Sequence, residues 1–273
     1  MPAQTAPNAG SALTPWSRLL AGTHIEPGVA TLDVTADWLQ GRTVFGGLQA
    51  AIALAAMRSR VPAVPLRTLQ GTFLAPVPGG AVTARARVLR TGKSATHVEA
   101  RIVEGDTTLA LLVGVFGAPR ASSVSVQPRQ PPVDGGKPIE FGYLPGVTPE
   151  FTQHFKVRWL RGLPPYTGDT QIDHVLEVGM RDDGAATEGH VLAIADFIPP
   201  VALSHLKAPA PGSTLTWMIE MLADRVDDLG LDRWRIDAQL AAARDGYTSQ
   251  SVMVWGPGGE PVAMSRQSMV VFG

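Results

Sequence analysis

The chain has no cysteine in its 273 residues, which excludes disulfides, thiolate metal sites and a thiol nucleophile. It also lacks an excess of either charge. Lys and Arg number 23 against 24 Asp and Glu, for a formal net charge of −1, so nothing marks a surface for nucleic acid or anionic lipid. No apolar run approaches the roughly 20 residues needed to cross a bilayer, and Met1 to Pro15 has neither the basic start nor the apolar core of a signal peptide. These absences lead to the expectation of a cytoplasmic protein, without membrane insertion, acting on a small molecule or another protein. Several sequence signatures of chemistry are missing too: a Gly-x-Ser-x-Gly elbow, a His-Glu-x-x-His pair, a phosphate loop and a Gly-x-Gly-x-x-Gly fingerprint. The six histidines are scattered without metal-ligand spacing, so no metal and no cofactor are expected. His174 beside Asp173 and His190 at a helix start are the two best placed for chemistry, although a structural role is the plainer reading of both.

What is present is enough apolar sequence to fold. Hydrophobic residues make up 45% and charged residues 17%, a globular balance at a length that allows one large domain or two smaller ones. Residues 1–15 carry almost nothing to bury and read as a tail. Ala118 to Pro149, with Gln127-Pro128-Arg129-Gln130-Pro131-Pro132 and Gly135-Gly136, reads as an extended linker rather than a packed element. That linker separates a module at 16–117 from one at 150–273.

The two modules repeat one order of elements. In the first, a strand over Ile25–Val34 precedes a helix over Leu48–Met57, and four strands follow at Leu66–Val77, Ala81–Arg90, Ser94–Val103 and Thr107–Phe116. In the second, strands near Phe151–Val157 and Ile172–Met180 precede a helix over Gly189–His205. Strands then follow at Ser213–Leu222, Arg235–Ala243, Tyr247–Trp255 and Pro261–Phe272. The spacing supports duplication: Gly47 to Thr72 and Gly189 to Thr214 are both 25 positions (72 − 47 and 214 − 189), and both modules end in Val-Phe-Gly. The expected class is α+β, with one long helix per module across an antiparallel sheet, and the two sheets joined so that free edges are covered. Edges and a face left over predict a homo-oligomer, most simply a dimer.

Certain local stretches resemble a known family. Gly41-Arg42-Thr43-Val44-Phe45-Gly46-Gly47, Phe73-Leu74-Ala75-Pro76, Arg90-Thr91-Gly92-Lys93-Ser94 and the late Ser265-Arg266-Gln267 look like the bacterial acyl-CoA thioesterase II family, over roughly Trp16 to Gly273. The resemblance implies a double hotdog fold, hydrolysis of an acyl-CoA, and a water-activating trio from the second module. Its members fall on Asp196, Thr214 and Gln267. The chain departs from the family pattern in having Thr216-Trp217 where the family has Asp-His, and Gln70 where some relatives carry a histidine.

The residues themselves say how such a trio would work. Thioester hydrolysis needs an activated water, a place for the negative charge that develops on the carbonyl oxygen, and an apolar channel for the acyl chain. Asp196 lies in the apolar run Val191-Leu192-Ala193-Ile194-Ala195-Asp196-Phe197-Ile198, where burial raises a carboxyl pKa unless neighbours hydrogen-bond it. The alternative is a carboxylate satisfied by local backbone or turned to solvent. Thr214 and Gln267 have neutral groups able to orient a water, although such residues are also ordinary strand and surface residues. Pro199-Pro200 predicts a kink or an end to the helix. Gly46, Gly47 and Gly189 stand at helix starts, where backbone N–H groups could receive a substrate oxygen or simply allow close packing. Arg58, Arg60, Arg90 and Lys93 are candidate partners for CoA phosphates, or no more than surface charges. Two other readings stand beside hydrolysis: a hotdog hydratase or dehydratase, which needs His paired with the acid, and an acyl-CoA-binding protein without turnover.

Overall fold

A computed structural model describes residues 13–61, 64–134 and 136–272. Most of the expected tail, together with Pro62, Gly135 and Gly273, lies outside those residues. The tail is shorter than expected at its inner end, because the Thr14 N–H donates to Asp37 Oδ2 at 2.9 Å and the Thr14 carbonyl accepts from the Trp38 indole at 2.9 Å.

The chain begins with α1 (Trp16–Ala21), β1 (His24–Glu26) and β2 (Val29–Val34). The single strand expected over Ile25–Val34 is a hairpin, because Gly28 takes φ 81° between its arms. A two-stranded ribbon follows, β3 (Leu39–Gln40) with β4 (Thr43–Val44), and leads into α2 (Gly46–Arg58). Then come β5 (Leu66–Phe73), β6 (Gly80–Thr91), β7 (Thr96–Glu104) and β8 (Thr107–Phe116).

The expected linker is not wholly unpacked. It contains β9 (Ile139–Phe141), which pairs with β10 (Phe155–Arg161), and its Pro131 carbonyl accepts from Arg235 Nη1 at 2.7 Å. After β11 (Asp173–Met180) and α3 (Glu188–Asp196) come β12 (Gly212–Met221), β13 (Trp234–Arg244), β14 (Tyr247–Trp255) and β15 (Pro261–Val271). In both halves strands lead into a buried helix and four strands follow it.

All strands but β3 and β4 share one antiparallel sheet of 13, in the order β1-β2-β6-β7-β8-β5-β12-β15-β14-β13-β11-β10-β9. The halves meet where β5 pairs with β12, Gly71 opposite Trp217 and Leu69 opposite Ile219. α2 is apolar on every side and buried almost throughout, because the sheet covers one flank and α3 the other.

The second helix corrects one expectation. It does not run from Gly189 to His205; α3 stops at Asp196 after nine residues, and a separate 3-10 turn covers Val201–His205. Pro200 has no N–H to give Asp196, and the ring of Pro199 clashes with the carbonyl of Ala195, so the helix cannot continue through the pair. Asp196 is thus the last residue of a helix, not a middle one. Among the described residues no helix is long and apolar enough to cross a membrane.

Candidate active site

The end of α3 meets the start of α2. There the Asp196 carboxyl accepts the backbone N–H of Gly47 and the side-chain amide of Gln267, the latter at 2.7 Å from Nε2 to Oδ1. The N-cap of α2, Phe45, has no side chain able to cap, so the carboxylate of the other helix caps α2 in its place. A Cβ on Gly46 would sit 2.6 Å from Asp196 Oδ2, and one on Gly47 would sit 2.8 Å from the Cα of Ala193. Gly47 is therefore required by the approach of the α3 backbone, and Gly46 by the position of the carboxylate. Among the described residues the Gly46 N–H, the first of α2, makes no hydrogen bond to a backbone carbonyl.

Asp196 keeps a sliver of exposed surface, yet its carboxyl group is enclosed. Burial pushes its pKa up to about 7, against the smaller downward pull of the Gly47 N–H and the Gln267 amide. Phe45 and Phe197, each next in the chain to the site, belong to a cluster of stacked and tilted rings: Phe45 lies 4.0 Å from Phe151 between centroids and Phe197 lies 4.5 Å from Phe155. All four are buried.

Gln267 faces inward from β15 and is buried, not a surface residue. Directly across from it on the two neighbouring strands stand Trp217 of β12 and Gln250 of β14. Thr214 reaches the same face through an irregularity. Thr216 opposes Ser268 on the exposed side, whereas Thr214 opposes the buried Met269, because Leu215 is an extra residue in β12. The structure brings Thr214 to the inner face one step along from Gln267, with no direct hydrogen bond between its hydroxyl and Asp196 or Gln267 among the described residues.

Other candidates are elsewhere. Gly189 lies beneath Trp16 and Leu20 of α1, about 10 Å along α3 from Asp196 at the helical rise per residue. His190 sits beside it, with Nδ1 accepting the Thr187 N–H at 3.1 Å and Nε2 3.0 Å from Asp182 Oδ2. His174 is buried against Gly162, and desolvation lowers its pKa. Arg58 pairs with Glu188 and Arg60 donates to the Pro27 carbonyl at 2.8 Å. No three His, Asp or Glu side chains gather into a metal-binding array among the described residues.

The site also holds a residue that the motifs do not point to. Gln250 is fully buried and donates to Gln267 Oε1 at 3.1 Å. Its signal in the sequence is the alternation of β14, where Thr248, Gln250, Val252 and Val254 occupy the inward positions.

Solved structures with the same fold place the chain in the hot dog class. A protein of unknown function with that fold from Alicyclobacillus acidocaldarius matches with a TM-score of 0.79 and 22% identity, covering 93% of this chain and 97% of its own. The tesB protein of Mycobacterium avium subsp. paratuberculosis matches with a TM-score of 0.72 and 15% identity over 94% of this chain and 99% of its own. An acyl-CoA thioesterase II, TesB2, from Mycobacterium marinum matches with a TM-score of 0.67 and 17% identity over 91% and 94%. A comparison with curated protein sequences gives no match. Family models are more specific: the acyl-CoA thioesterase N-terminal domain matches residues 34–117 and the C-terminal domain residues 124–271. The chain belongs to the acyl-CoA thioesterase family.

Proposed function

We propose that the protein hydrolyses the thioester of an acyl-CoA, with water as nucleophile and Asp196 as general base. The observation that carries this reading is the Asp196 carboxyl, enclosed between two helix ends, with a pKa of about 7 and a neutral amide as its side-chain partner. A carboxylate of ordinary pKa is a weak base; one raised to about 7 takes a proton more readily and is still ionised in much of the protein at neutral pH. Water held by Asp196 and by the hydroxyl of Thr214 attacks the thioester carbon, and its proton passes to Asp196. The charge gathering on the carbonyl oxygen is met by the Gly46 N–H, at the positive end of α2. The tetrahedral species then collapses, the C–S bond breaks, and Asp196 returns the proton to the departing CoA thiolate. Gly47 is already engaged in holding the base.

Two hotdog modules, 16–117 and 150–273, share one sheet, and the base of the second works at the helix start of the first. A hydratase reading asks for a histidine beside the acid, and His190 is instead bound to Asp182 at the far end of α3.

The test is release of free CoA from a series of acyl-CoAs by the native protein and by Asp196→Asn, which is nearly isosteric. Turnover in the variant is expected to fall by about 10²–10⁴-fold with KM little changed. In the native protein kcat/KM rises with pH through about 7, as the carboxyl loses its proton. Full turnover in folded Asp196→Asn would end this reading. Binding of acyl-CoA with no CoA released from any substrate would replace it with a binding function.

A further inference from the structure

The inner face of the sheet differs between the two halves. In the first, the row Gly71, Leu112 and Ala100 across β5, β8 and β7 is wholly apolar. In the second, the row Trp217, Gln267 and Gln250 across β12, β15 and β14 holds two carboxamides, Gln250 at 0% and Gln267 at 2% exposure. A buried carboxamide is expensive unless its donor and acceptor ends find partners, so a second glutamine behind the first asks for an explanation.

The hydrogen bonds give one, because they run in a single direction. The Val201 N–H, at the start of the 3-10 turn after Pro199-Pro200, donates to Gln250 Oε1 at 2.9 Å. A backbone N–H has no other role, so the oxygen of Gln250 must face it and the NH₂ must face Gln267. That NH₂ donates to Gln267 Oε1 at 3.1 Å, which turns the NH₂ of Gln267 toward Asp196 Oδ1 at 2.7 Å. The two ends of a carboxamide have nearly the same shape, so packing alone does not decide which of them meets the acid. Turned the other way, Gln267 would present an oxygen to a carboxylate and favour its protonated form.

We propose that Gln250 is a positioning residue, which fixes the orientation of the Gln267 carboxamide and so keeps a donor, rather than an acceptor, aimed at Asp196. The proposal rests on the reading of Asp196 as general base. Its effect is not confounded by charge. α2 offers Asp196 only backbone, with Arg58 at its far end; β14 and β15 turn neutral Thr248, Gln250, Ser265 and Gln267 inward; Arg266 and Glu220 are exposed on the opposite face. On α3, Glu188 is paired with Arg58 and His190 with Asp182.

The experiment compares Gln250→Leu and Gln250→Met with the native protein by two measurements. One is the pH profile of kcat/KM; the other is the titration of Asp196 followed by carboxyl carbon NMR, which does not depend on turnover. In Gln250→Leu the Asp196 titration and the rising limb of the profile are both expected to move up by about one pH unit, with kcat at pH 7 lower by roughly tenfold. Gln250→Met keeps the length of the side chain without adding a charge, and it has no proton for Gln267. The same upward displacement is expected, and this variant decides the matter if Gln250→Leu does not fold. A folded variant with lower thermal stability and an unmoved Asp196 titration would overturn the proposal and leave Gln250 as core filling. Because Asp196→Asn tests the base separately, an active Asp196→Asn with a displaced titration in Gln250→Leu would refute the base and retain the positioning.

Discussion

Asp196 does three things at once: it ends α3, caps α2 and carries the proposed proton transfer. Gly46 is the residue most constrained by this overlap. In Gly46→Ala the new methyl falls 2.6 Å from Asp196 Oδ2, so the carboxylate must move. The protein is expected to fold, with kcat lower by about ten- to a hundredfold and the Gln267 contact lengthened, as shown by the CoA-release assay and a crystal structure of the variant. Stability should respond to the same carboxyl. Its folded pKa lies above the unfolded value, so the stabilising protonated form is complete below about pH 4 and is lost as pH rises through about 7. Asp196→Asn is therefore expected to be more stable than the native protein at pH 8, by about 2–4 kcal/mol, and equal to it near pH 4. Urea unfolding at the two pH values checks this, and a variant less stable at pH 8 would contradict it.

At the scale of elements, the two helices lie against each other with opposite ends matched. At one pair of ends Asp196 faces Gly46 and Gly47; at the other, Arg58 from the end of α2 pairs with Glu188 at the start of α3. Arg58 also donates to the Val61 carbonyl at 3.1 Å and lies 4.8 Å over the Phe116 ring, and Glu188 Oε1 accepts from the Leu66 N–H at 3.3 Å. This end is occupied by structure. Arg58→Met is expected to cost about 1–3 kcal/mol in denaturant unfolding while leaving kcat within about twofold, since the base is at the opposite end. Much of this layer is legible in the sequence. The expected bounds of Tyr247–Trp255 are those of β14, and most other strands agree within two residues, because period-two alternation between Gly and Pro turns is a local signal. The break after α3 is legible at Pro199-Pro200, but the apolar run continues past the pair, so the sequence does not decide between a kink and an end. The extra Leu215 is not legible, because a bulge is defined by residues on another strand, whereas the alternation of β14 places Gln250 inward without saying what it touches.

The whole molecule is one sheet with exposed apolar residues remaining on it, among them Val88, Leu89, Tyr247 and Met264. A dimer is the simplest association that would cover part of that surface. Multi-angle light scattering is expected to give twice the chain mass at micromolar concentration, and a monomer of 28.8 kDa across that range would count against it. The seam between β5 and β12 has a further consequence, in time rather than space. β5 leaves the ribosome about 150 residues before its partner is complete, a delay of about 7–30 s at ordinary rates of synthesis. For that interval β5 has no β12 to cover its edge, which is open to pairing with any other strand it meets. The fused design thus protects the mature protein by making the nascent one vulnerable, and the yield of folded chain should depend on how fast translation crosses the residues between β5 and β12.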